Sequence, residues 1–362
     1  MNLAPDKPAE FRIDVPLADF TTIHLGGAAR YFVACQKIDE IISAISFYRT
    51  TGDPMVVLGG GSNVVFPDHG FNGLVLKVEL KGVSFADDGD YMIVTAQAGE
   101  SWDDLVKVCV NKCLAGIECL SGIPGTVGAT PIQNVGAYGQ EVKDTIASVK
   151  VIDRGTLDMT EFNSSDCRFG YRSSRFKRED KDRYLIVEVG YRLKKRGEPI
   201  VRYQELNDFL RKRENGAENT ETKETNLKAI REAVLTLRKK KSMVIDPQDP
   251  NSRSVGSFFV NPVLGNSEFA DFLLRVRSLS LDEPPTFSDG LGTKIPAGWL
   301  VENAGFHKGD RRGGVGISSG HALSLVNYSG TSEELLVLAS EIEKSVLDKF
   351  GIKLKREAVI IE

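Results

Sequence analysis

The chain has 362 residues, of which 41% are hydrophobic and 27% charged, and its net charge at pH 7 is −4. This length predicts two or three domains, and the composition is that of an ordinary globular protein. The slightly acidic balance excludes a basic nucleic-acid-binding surface, and the longest apolar runs are too short to span a bilayer. We therefore expect neither a nucleic-acid nor a membrane partner.

The predicted elements begin as short strands and helices in alternation. IDEIISAISFY (38–48) has isoleucines at helical spacing, and MVVL (55–58) is a strand that runs into a glycine loop. Further strands are predicted at LVLKVEL, YMIVTAQ, SVKVIDR and RYLIVEVGYRL. Between them, Ser101 and Asp104 have the spacing of a helix N-terminal cap.

The second half opens with a polar run, since almost every residue from Arg211 to Thr225 is charged or polar. This run predicts a solvated loop or insertion. After one more helix, VIDPQDPNSRS is a linker that indicates a domain boundary near residue 243. TSEELLVLASEIEKSVLDKFG is the clearest helix, with a cap at Thr331 and a stop at Gly351, and IKLKREAVII is a closing strand. The absence of a regular βαβ rhythm favours an α+β fold.

The N-terminus and the cysteines indicate the compartment. MNLAPDKPAEF lacks the basic and apolar regions of a secretory signal, and the five cysteines form no C-x-x-C pair. A cytoplasmic protein with reduced thiols is expected. The four histidines are far apart in sequence, so no metal site is expected.

Two glycine-rich loops are candidates for ligand contact: LGGGSN (58–63) and SGIPGTVGATPIQNVGAYG (121–139), which has five glycines in nineteen uncharged residues. Neither matches a P-loop or a Rossmann fingerprint, because no lysine follows and the glycine spacing differs. Their backbone N–H groups can still face phosphates, with neutral donors from Ser62, Asn63, Thr126 and Thr130. A glycine triplet alone indicates a tight turn, whereas two such loops favour a large anionic ligand.

In three other segments, a structural explanation is favoured over a functional one when each segment is taken alone. FGYRSSRFK contains Arg172 and is typical of a surface turn. SVGSFFVNP reads as a buried strand, and no G-x-S-x-G motif surrounds Ser257, so hydrolase chemistry is not indicated. In the closing strand, Glu357 lies where the sequence changes from charged to apolar, a place where a carboxylate can be partly buried.

Together and in order, these motifs resemble the UDP-N-acetylenolpyruvoylglucosamine reductase family. The resemblance runs from about residue 20 to the C-terminus and rests on TIHLGGAARYF, LGGGSN, SGIPGTVGATPIQNVGAYG, FGYRSSRFK, GSFFVNP, AGWLVENAGFHKG and LKREAVI. It implies that NADPH reduces a non-covalent FAD, which reduces the enolpyruvyl ether of UDP-N-acetylglucosamine to UDP-N-acetylmuramate, for peptidoglycan synthesis. The nucleotide sugar would be a small-molecule partner of a monomeric enzyme.

The resemblance also implies three domains. Two form an FAD-binding region of the vanillyl-alcohol-oxidase-like type, residues 1–78 with 344–362 and residues 79–242. The third, residues 243–343, is an α+β domain that holds the substrate.

Carried onto this chain, the family's catalytic residues match Arg172, Ser257 and Glu357. Arg172 would stabilise negative charge on the substrate carboxylate, Ser257 would give a proton to C2, and Glu357, with a pKa raised by partial burial, would act at the carboxylate. Flavin contacts fall on Gly59, Gly60, Gly61, Ser62, Asn63, Ile123, Pro124, Gly125, Ala129, Thr130, Ile132, Gly136, Tyr138 and Arg172. Substrate contacts fall on Tyr203, Lys241, Asn261 and His321, and Tyr203 indicates the longer, loop-bearing type of the enzyme. The linker after Lys241 is longer than in the shortest relatives, a departure from the family pattern.

Two alternatives remain open at this point. One is another flavoenzyme of the same fold, such as an oxidase of sugar lactones or hydroxy acids, although neither glycine loop has a histidine or cysteine anchor for a covalent flavin. The other is a non-catalytic nucleotide-sugar binding protein, against which the joint presence of Arg172, Ser257 and Glu357 weighs.

Overall fold

The structure is a computed structural model that describes residues 10–198, 201–215, 227–288 and 292–362. The chain divides into two compact units. The first unit comprises Met1–Val15, Ala29–Gly60 and Asn72–Lys240, and the second comprises Pro16–Ala28, Gly61–Phe71 and Lys241–Glu362. The division into three domains stays a prediction.

The described residues form seven α-helices and 23 strands. The helices are α1 (Ile38–Thr51), α2 (Trp102–Asn111), α3 (Gln204–Asn215), α4 (Leu227–Lys240), α5 (Asn266–Ser278), α6 (Ala297–Asn303) and α7 (Ser332–Phe350). The strands up to the end of the first unit are β1 (Arg12–Pro16), β2 (Ala28–Cys35), β3 (Met55–Leu58), β4 (Val64–Val65), β5 (Phe71–Val78), β6 (Val83–Asp88), β7 (Tyr91–Gln97), β8 (Leu114–Ala115), β9 (Gly136–Ala137), β10 (Gln140–Glu141), β11 (Ile146–Asp153), β12 (Met159–Asn163) and β13 (Tyr184–Lys195). The remaining strands are β14 (Ser254–Ser257), β15 (Phe259–Val260), β16 (Val263–Leu264), β17 (Phe287–Ser288), β18 (Thr293–Lys294), β19 (Arg311–Arg312), β20 (Val315–Ile317), β21 (Ser324–Asn327), β22 (Lys355–Arg356) and β23 (Val359–Ile360).

The first unit is built on an antiparallel sheet with the strand order β12-β11-β13-β7-β6, and β8 also pairs with β13. Alternate valines of β11 and β13 are buried in its core, which also takes the apolar face of α2. A second sheet has the order β1-β2-β5-β3, in which β3 and β5 run parallel. Both glycine-rich loops leave this framework, one directly after β3 and the other after β8.

The second unit is built on an antiparallel sheet with the order β14-β21-β20-β19, whose core contains the buried face of α7. The predicted cap of α7 is confirmed, since the Thr331 side chain accepts from the Glu334 N–H and Glu334 caps Thr331 in return. Gly351 ends the helix in the left-handed conformation. The α+β class is therefore confirmed, because the sheets are mainly antiparallel and the helices do not alternate regularly with the strands.

Two expectations need correction. The polar run begins as helix, because α3 extends to Asn215; the helix packs through buried Leu206 and Leu210, whereas Arg211 and Lys212 directly after them are exposed. Residues 216–225 lie outside the described residues. The closing strand is two short strands: β22 pairs with β15 and β23 pairs with β4. Leu354 and Ala358 of this segment are buried.

All five thiols are free, and four of them are buried. Burial raises the pKa of the Cys35, Cys109 and Cys167 thiols to about 12, so these groups are protonated at neutral pH. Within the described ranges, no helix combines the length and apolar character that a bilayer crossing requires. The same residues contain no group of three metal-ligating side chains.

Candidate active site

The two glycine loops meet through their backbones in the first unit. A Cβ placed on Gly60 would lie 2.7 Å from the Gly125 Cα, and one on Gly59 would lie 2.6 Å from Thr126 Oγ1. No side chain fits at Gly60, where the close atoms are main chain, whereas a side chain at Gly59 would first meet the Thr126 hydroxyl. The glycines therefore allow the loops to approach each other closely, and they leave a surface lined by main-chain atoms.

The long segment is tied down at its start by an ion pair. Arg231 of α4 donates to both carboxylate oxygens of Asp103, at 2.6 and 2.7 Å, and the Gly122 N–H donates to the same carboxylate. Burial acts to raise the pKa of Asp103, but the bonds from Arg231 and Gly122 outweigh it and hold that pKa below its usual value. The start of the long glycine segment, at Gly122, is therefore fixed to Asp103 of α2.

The side chain of Thr130 is hydrogen-bonded inside the protein core. Its hydroxyl donates to the Val127 carbonyl at 2.8 Å, so the Tyr191 hydroxyl, 2.7 Å away, donates to Thr130 Oγ1. Both residues are almost fully buried. Burial also raises the pKa of Tyr191, which keeps its proton on the donor. The Thr130 side chain is therefore not available as the neutral donor that its sequence position suggested.

The segment FGYRSSRFK is joined to the long glycine segment by three hydrogen bonds. Arg172 Nη2 donates to the Gly136 carbonyl at 2.7 Å, and Ser174 Oγ donates to the Ile132 carbonyl at 2.6 Å. Asn134 Nδ2 donates to the Gly170 carbonyl at 3.0 Å. Arg172 has a left-handed backbone, with φ of 49°, in a tight turn closed between residues 170 and 173. Such strain in a non-glycine residue is typical of a functional site.

The other predicted contacts of the first unit lie along the same segment. Ile123 packs on the core, Ala129 ends a short 3-10 turn, and Ile132 is 40% exposed. Tyr138 and Tyr203 form an edge-to-face pair with ring centroids 5.5 Å apart. Burial raises the pKa of Tyr138 to about 12, so its phenol is a hydrogen-bond donor at neutral pH. The unit also places half-buried Pro124 in this loop.

In the second unit, Ser257 and His321 are adjacent. Ser257 Oγ lies 3.3 Å from His321 Nε2, and both side chains are partly exposed. Ser257 ends β14, after Gly256 with φ of 76° and a register shift in the pairing with β21. The irregularity therefore lies directly before Ser257, which itself pairs with Ser324.

Glu357 is held between two predicted motifs of the second unit. Its N–H donates to the carbonyl of Phe258, the residue after Ser257, at 2.8 Å, and its carbonyl accepts from Asn63 Nδ2 at 3.2 Å. The Val359 N–H then donates to the Asn63 carbonyl at 3.0 Å. The half-buried Glu357 is thus fixed by backbone contacts to both neighbours.

The loop at 61–63 is also joined to β14. The Thr22 N–H donates to the Gly61 carbonyl at 3.1 Å, and the Thr22 hydroxyl donates to the Ser254 carbonyl at 2.6 Å. Gly61 has φ of 64°, and a Cβ there would lie 1.9 Å from the Phe20 carbonyl oxygen. The unit therefore gathers Gly61, half-buried Ser62, Asn63, Ser257, Glu357 and His321.

Lys241 and Asn261 lie at the edges of this group. A Cβ on Gly320 would lie 2.8 Å from the Lys241 carbonyl carbon, so the backbone of Lys241 packs directly before His321. The side-chain oxygen of Asn261 accepts from the Ala297 N–H at 2.8 Å and so caps α6. The side-chain oxygen of Asn261 therefore stabilises the start of α6, whether or not Asn261 also contacts substrate.

The sequence analysis did not predict several of the residues that position the site. Asp103 and Arg231 are 128 positions apart, and Thr22 and Ser254 are 232 apart, so no local pattern could pair them. Asn134 did carry a signal, because asparagine tolerates the left-handed conformation that it adopts here, with φ of 48°.

The donor set of the glycine loops fits a flavin dinucleotide. The residues from Ser121 to Gly139 carry no charged side chain, and the loop-to-loop contact at Gly60 and Gly125 is made by main chain alone. Main-chain N–H groups in such loops bind a pyrophosphate without a lysine.

Comparisons with known proteins cover both parts of the chain. A family model described as an FAD binding domain matches residues 29–157, and the model of the UDP-N-acetylenolpyruvoylglucosamine reductase C-terminal domain matches residues 247–361. The UDP-N-acetylenolpyruvoylglucosamine reductase of Thermobifida fusca is 45% identical over 358 residues, which cover 97% of this chain and 98% of that protein. The enzyme of the same name from Streptomyces coelicolor is 42% identical over 361 residues, covering 98% and 91%.

A solved structure supports the fold. The crystal structure of UDP-N-acetylenolpyruvylglucosamine reductase from Thermus caldophilus aligns with a TM-score of 0.63 at 22% identity, over 98% of this chain and 99% of that one.

Proposed function

Since the chain belongs to the UDP-N-acetylenolpyruvoylglucosamine reductase family, we propose that it reduces the enolpyruvyl ether of UDP-N-acetylglucosamine to UDP-N-acetylmuramate. FAD is its cofactor, NADPH is the hydride donor, and the product is a precursor of peptidoglycan. The observation that carries this function is the full-length match to enzymes of that name at 40–45% identity.

When bound, FAD would supply the hydride-transfer chemistry of the reaction. Residues Gly59 to Asn63 and the segment 121–139 would hold it through main-chain donors. Tyr138, whose phenol stays protonated, is a further donor at the end of that segment.

Arg172 stabilises the charge that develops when C3 receives hydride, because electron density then moves onto the substrate carboxylate. A guanidinium is permanently charged and can bind a carboxylate through two parallel N–H bonds. Its bond to the Gly136 carbonyl supports this role, since it fixes the side chain before substrate arrives.

Ser257 donates the proton that C2 requires. A serine hydroxyl is a weak acid, so it must be held within about 3 Å of the carbon it protonates. The register shift directly before Ser257, at Gly256, supports this assignment, because such an irregularity changes the direction of the side chains next to it. Glu357 orients the carboxylate or shares a proton with it, and its backbone contact with Phe258 keeps it near Ser257 in the chain fold of the second unit.

Tyr203, Lys241, Asn261 and His321 complete the substrate site. Tyr203 is 40% exposed beside Tyr138, as a residue that closes over a ligand must be. Lys241 is the cation assigned to a substrate phosphate.

The protein is assigned to the cytoplasm as a monomer. Its five free thiols support a reducing compartment. Light scattering of the purified protein tests the monomeric state, for which a mass of 39.7 kDa is expected.

The test of the function separates its two half-reactions under anaerobic conditions. The purified protein is expected to be yellow, NADPH to bleach the flavin, and the enolpyruvyl substrate to restore its absorbance. UDP-N-acetylglucosamine, which lacks the enolpyruvyl group, is the control and should restore nothing. Ser257→Ala should still be bleached, but reoxidation by substrate should slow by about 10²- to 10⁴-fold.

Other outcomes would replace the proposal. Fast reoxidation by oxygen with no response to the enolpyruvyl substrate would indicate an oxidase. A colourless protein that binds UDP-sugars would indicate a binding protein, and normal turnover by Ser257→Ala would remove this residue from the mechanism.

A further inference from the structure

Ser257 has one side chain of the second unit within hydrogen-bonding distance of its hydroxyl, the imidazole of His321, among the contacts that the described residues show. The distance from Ser257 Oγ to His321 Nε2 is 3.3 Å. This is long for a strong bond and is typical of a pair that tightens when a ligand arrives.

The sheet fixes this pair, since both residues belong to neighbouring strands or their turn. His321 lies in the turn between β20 and β21, which is closed by bonds between Ser318 and Ser324 at 2.8 Å and from the Ser324 N–H to the His321 carbonyl at 3.1 Å. Ser257 is the register partner of Ser324. The Phe258 N–H donates to the Leu323 carbonyl at 2.8 Å, so the strand bearing the serine is fastened to the turn bearing the histidine.

Packing beneath the turn limits its movement. The Gly320 N–H donates to Ser318 Oγ at 3.1 Å, and Gly320 has no room for a side chain against the backbone of Lys241. The imidazole is therefore carried on a turn supported from two sides.

The direction of the hydrogen bond decides what the serine can do. A hydroxyl has a single hydrogen and two lone pairs. If Ser257 donates to His321, its hydrogen is used and faces away from a substrate. If His321 Nε2–H donates to Ser257 Oγ, the hydroxyl hydrogen remains available for the carbon that receives the proton.

We propose that His321 is a positioning residue that donates from Nε2–H to Ser257 Oγ and so directs the Ser257 proton to C2 of the substrate. The inference rests on the proposed function, because it gives His321 a task within that reaction. It differs from direct substrate contact, in which His321 would act independently of Ser257.

A double-mutant cycle tests the proposal. The rate at which saturating enolpyruvyl substrate reoxidises the NADPH-reduced flavin is measured in the wild type, Ser257→Ala, His321→Ala and the double variant. His321→Ala should slow the wild type by about 10- to 100-fold, as misplacement of a reacting group does. In the Ser257→Ala background the same change should cost less than about 3-fold, since residues that act as a unit are not additive.

Two further variants sharpen the result. His321→Gln keeps a side-chain N–H donor and should recover at least part of the rate lost in His321→Ala. His69→Ala is the matched control, since His69 is an exposed histidine of the same unit, and its rate should equal that of the wild type. The flavin spectrum of each variant reports whether it has folded and holds the cofactor, and His321→Leu, which also lacks a side-chain N–H donor, replaces His321→Ala if the latter does not fold.

Several outcomes would overturn the inference. Equal losses in both backgrounds, a change confined to the substrate concentration at half-maximal rate, or His321→Gln as slow as His321→Ala would each show that His321 does not act through Ser257. A wild type that substrate fails to reoxidise would instead refute the proposed function itself.

Discussion

Gly136 shows how a single glycine contacts Arg172, the arginine proposed to be catalytic. Its carbonyl accepts from Arg172 Nη2 at 2.7 Å, and a Cβ on it would lie 3.1 Å from Arg172 Nη1 and 2.9 Å from the Gln140 carbonyl oxygen. The nearest atom to such a Cβ is Glu141 Cγ at 2.8 Å, so a methyl group here would crowd the backbone of residue 140 and the side chains of both Glu141 and Arg172.

Gly136→Ala should displace the guanidinium of Arg172. Loss of one charge-stabilising donor costs about 10²- to 10³-fold in rate, and we expect a fall of about 10²-fold in flavin reoxidation by substrate. Gly170→Ala is the matched control in the neighbouring turn, because its nearest atom, Ser173 Cβ, would be at an ordinary 3.8 Å. Stopped-flow absorbance measures both, and an unchanged rate in Gly136→Ala would contradict the assignment of Arg172.

Among the elements, α2 and α4 determine where the long glycine segment begins. The Asp103–Arg231 pair joins them, and the side chain of Arg231 is only 11% exposed. The same carboxylate receives the Gly122 N–H, so one side chain of α2 fixes both the second helix and the loop.

Asp103→Asn should lower the free energy of unfolding of the protein at pH 7. The expected loss is about 1.5–3 kcal/mol, the usual contribution of hydrogen bonds to charged groups. Denaturant unfolding measures it, with Asp104→Asn as the control, because Asp104 is exposed at the same helix N-terminus and removes the same charge. Equal losses in the two variants would mean that the ion pair contributes nothing beyond the helix dipole.

The pH dependence of that difference has a definite sign. The pKa of Asp103 is lower in the folded protein than its unfolded value of about 3.9. Its contribution is therefore complete above about pH 4 and is lost as the pH falls through the lower, folded pKa. The stability gap between wild type and Asp103→Asn should stay constant from pH 7 to about pH 5 and narrow below about pH 4. If the stability difference between wild type and Asp103→Asn grew as the pH fell, the pKa of Asp103 would be raised in the folded protein and not lowered.

At the scale of the whole molecule, each unit has its own hydrophobic core. Gly59, Gly60 and the segment 121–139, which belong to the first unit, are among the residues proposed to bind flavin. A ligand that binds only the folded chain stabilises it by mass action.

Removal of FAD should therefore lower the midpoint of thermal unfolding, and added FAD should restore it. At a free concentration one hundred times its Kd, FAD should contribute about 2.7 kcal/mol. Differential scanning fluorimetry or circular dichroism measures the midpoint. Riboflavin, which has no pyrophosphate for the main-chain donors, is the control and should give the smaller shift, and equal shifts would argue against a pyrophosphate site.

The sequence predicted those parts of the fold that depend on neighbours along the chain. The helix from Thr331 to Gly351 was predicted with both ends, because its cap, apolar stripe and stop are all local. The start of α2 was predicted in the same way from Ser101 and Asp104; the helix stops at Asn111, and Leu114 forms β8 against β13. Strand pairing is non-local, and it took precedence over helical periodicity there.

The candidate site divides in the same way. Arg172, Ser257 and Glu357 could be selected from motifs, but their partners Gly136, His321 and Asn63 are brought to them by backbone contacts over long sequence separations. Thr130 shows the reverse error, since a hydroxyl in a glycine loop was expected to face a ligand and instead bonds Tyr191 in the core. Burial decides the partner of a hydroxyl, and burial is not a local property.

By itself the sequence determined the α+β class, the strong helices, the two uncharged glycine loops and the family to which the ordered motifs point. These features depend on composition, periodicity and motif order, all of which are properties of the linear sequence. Only the tertiary structure decided that the glycines serve loop-to-loop contact, that Asp103 anchors Gly122, and that His321 stands beside Ser257. Each of these depends on which distant segments the packed cores bring within hydrogen-bonding distance, a choice made by the balance of burial over the whole chain.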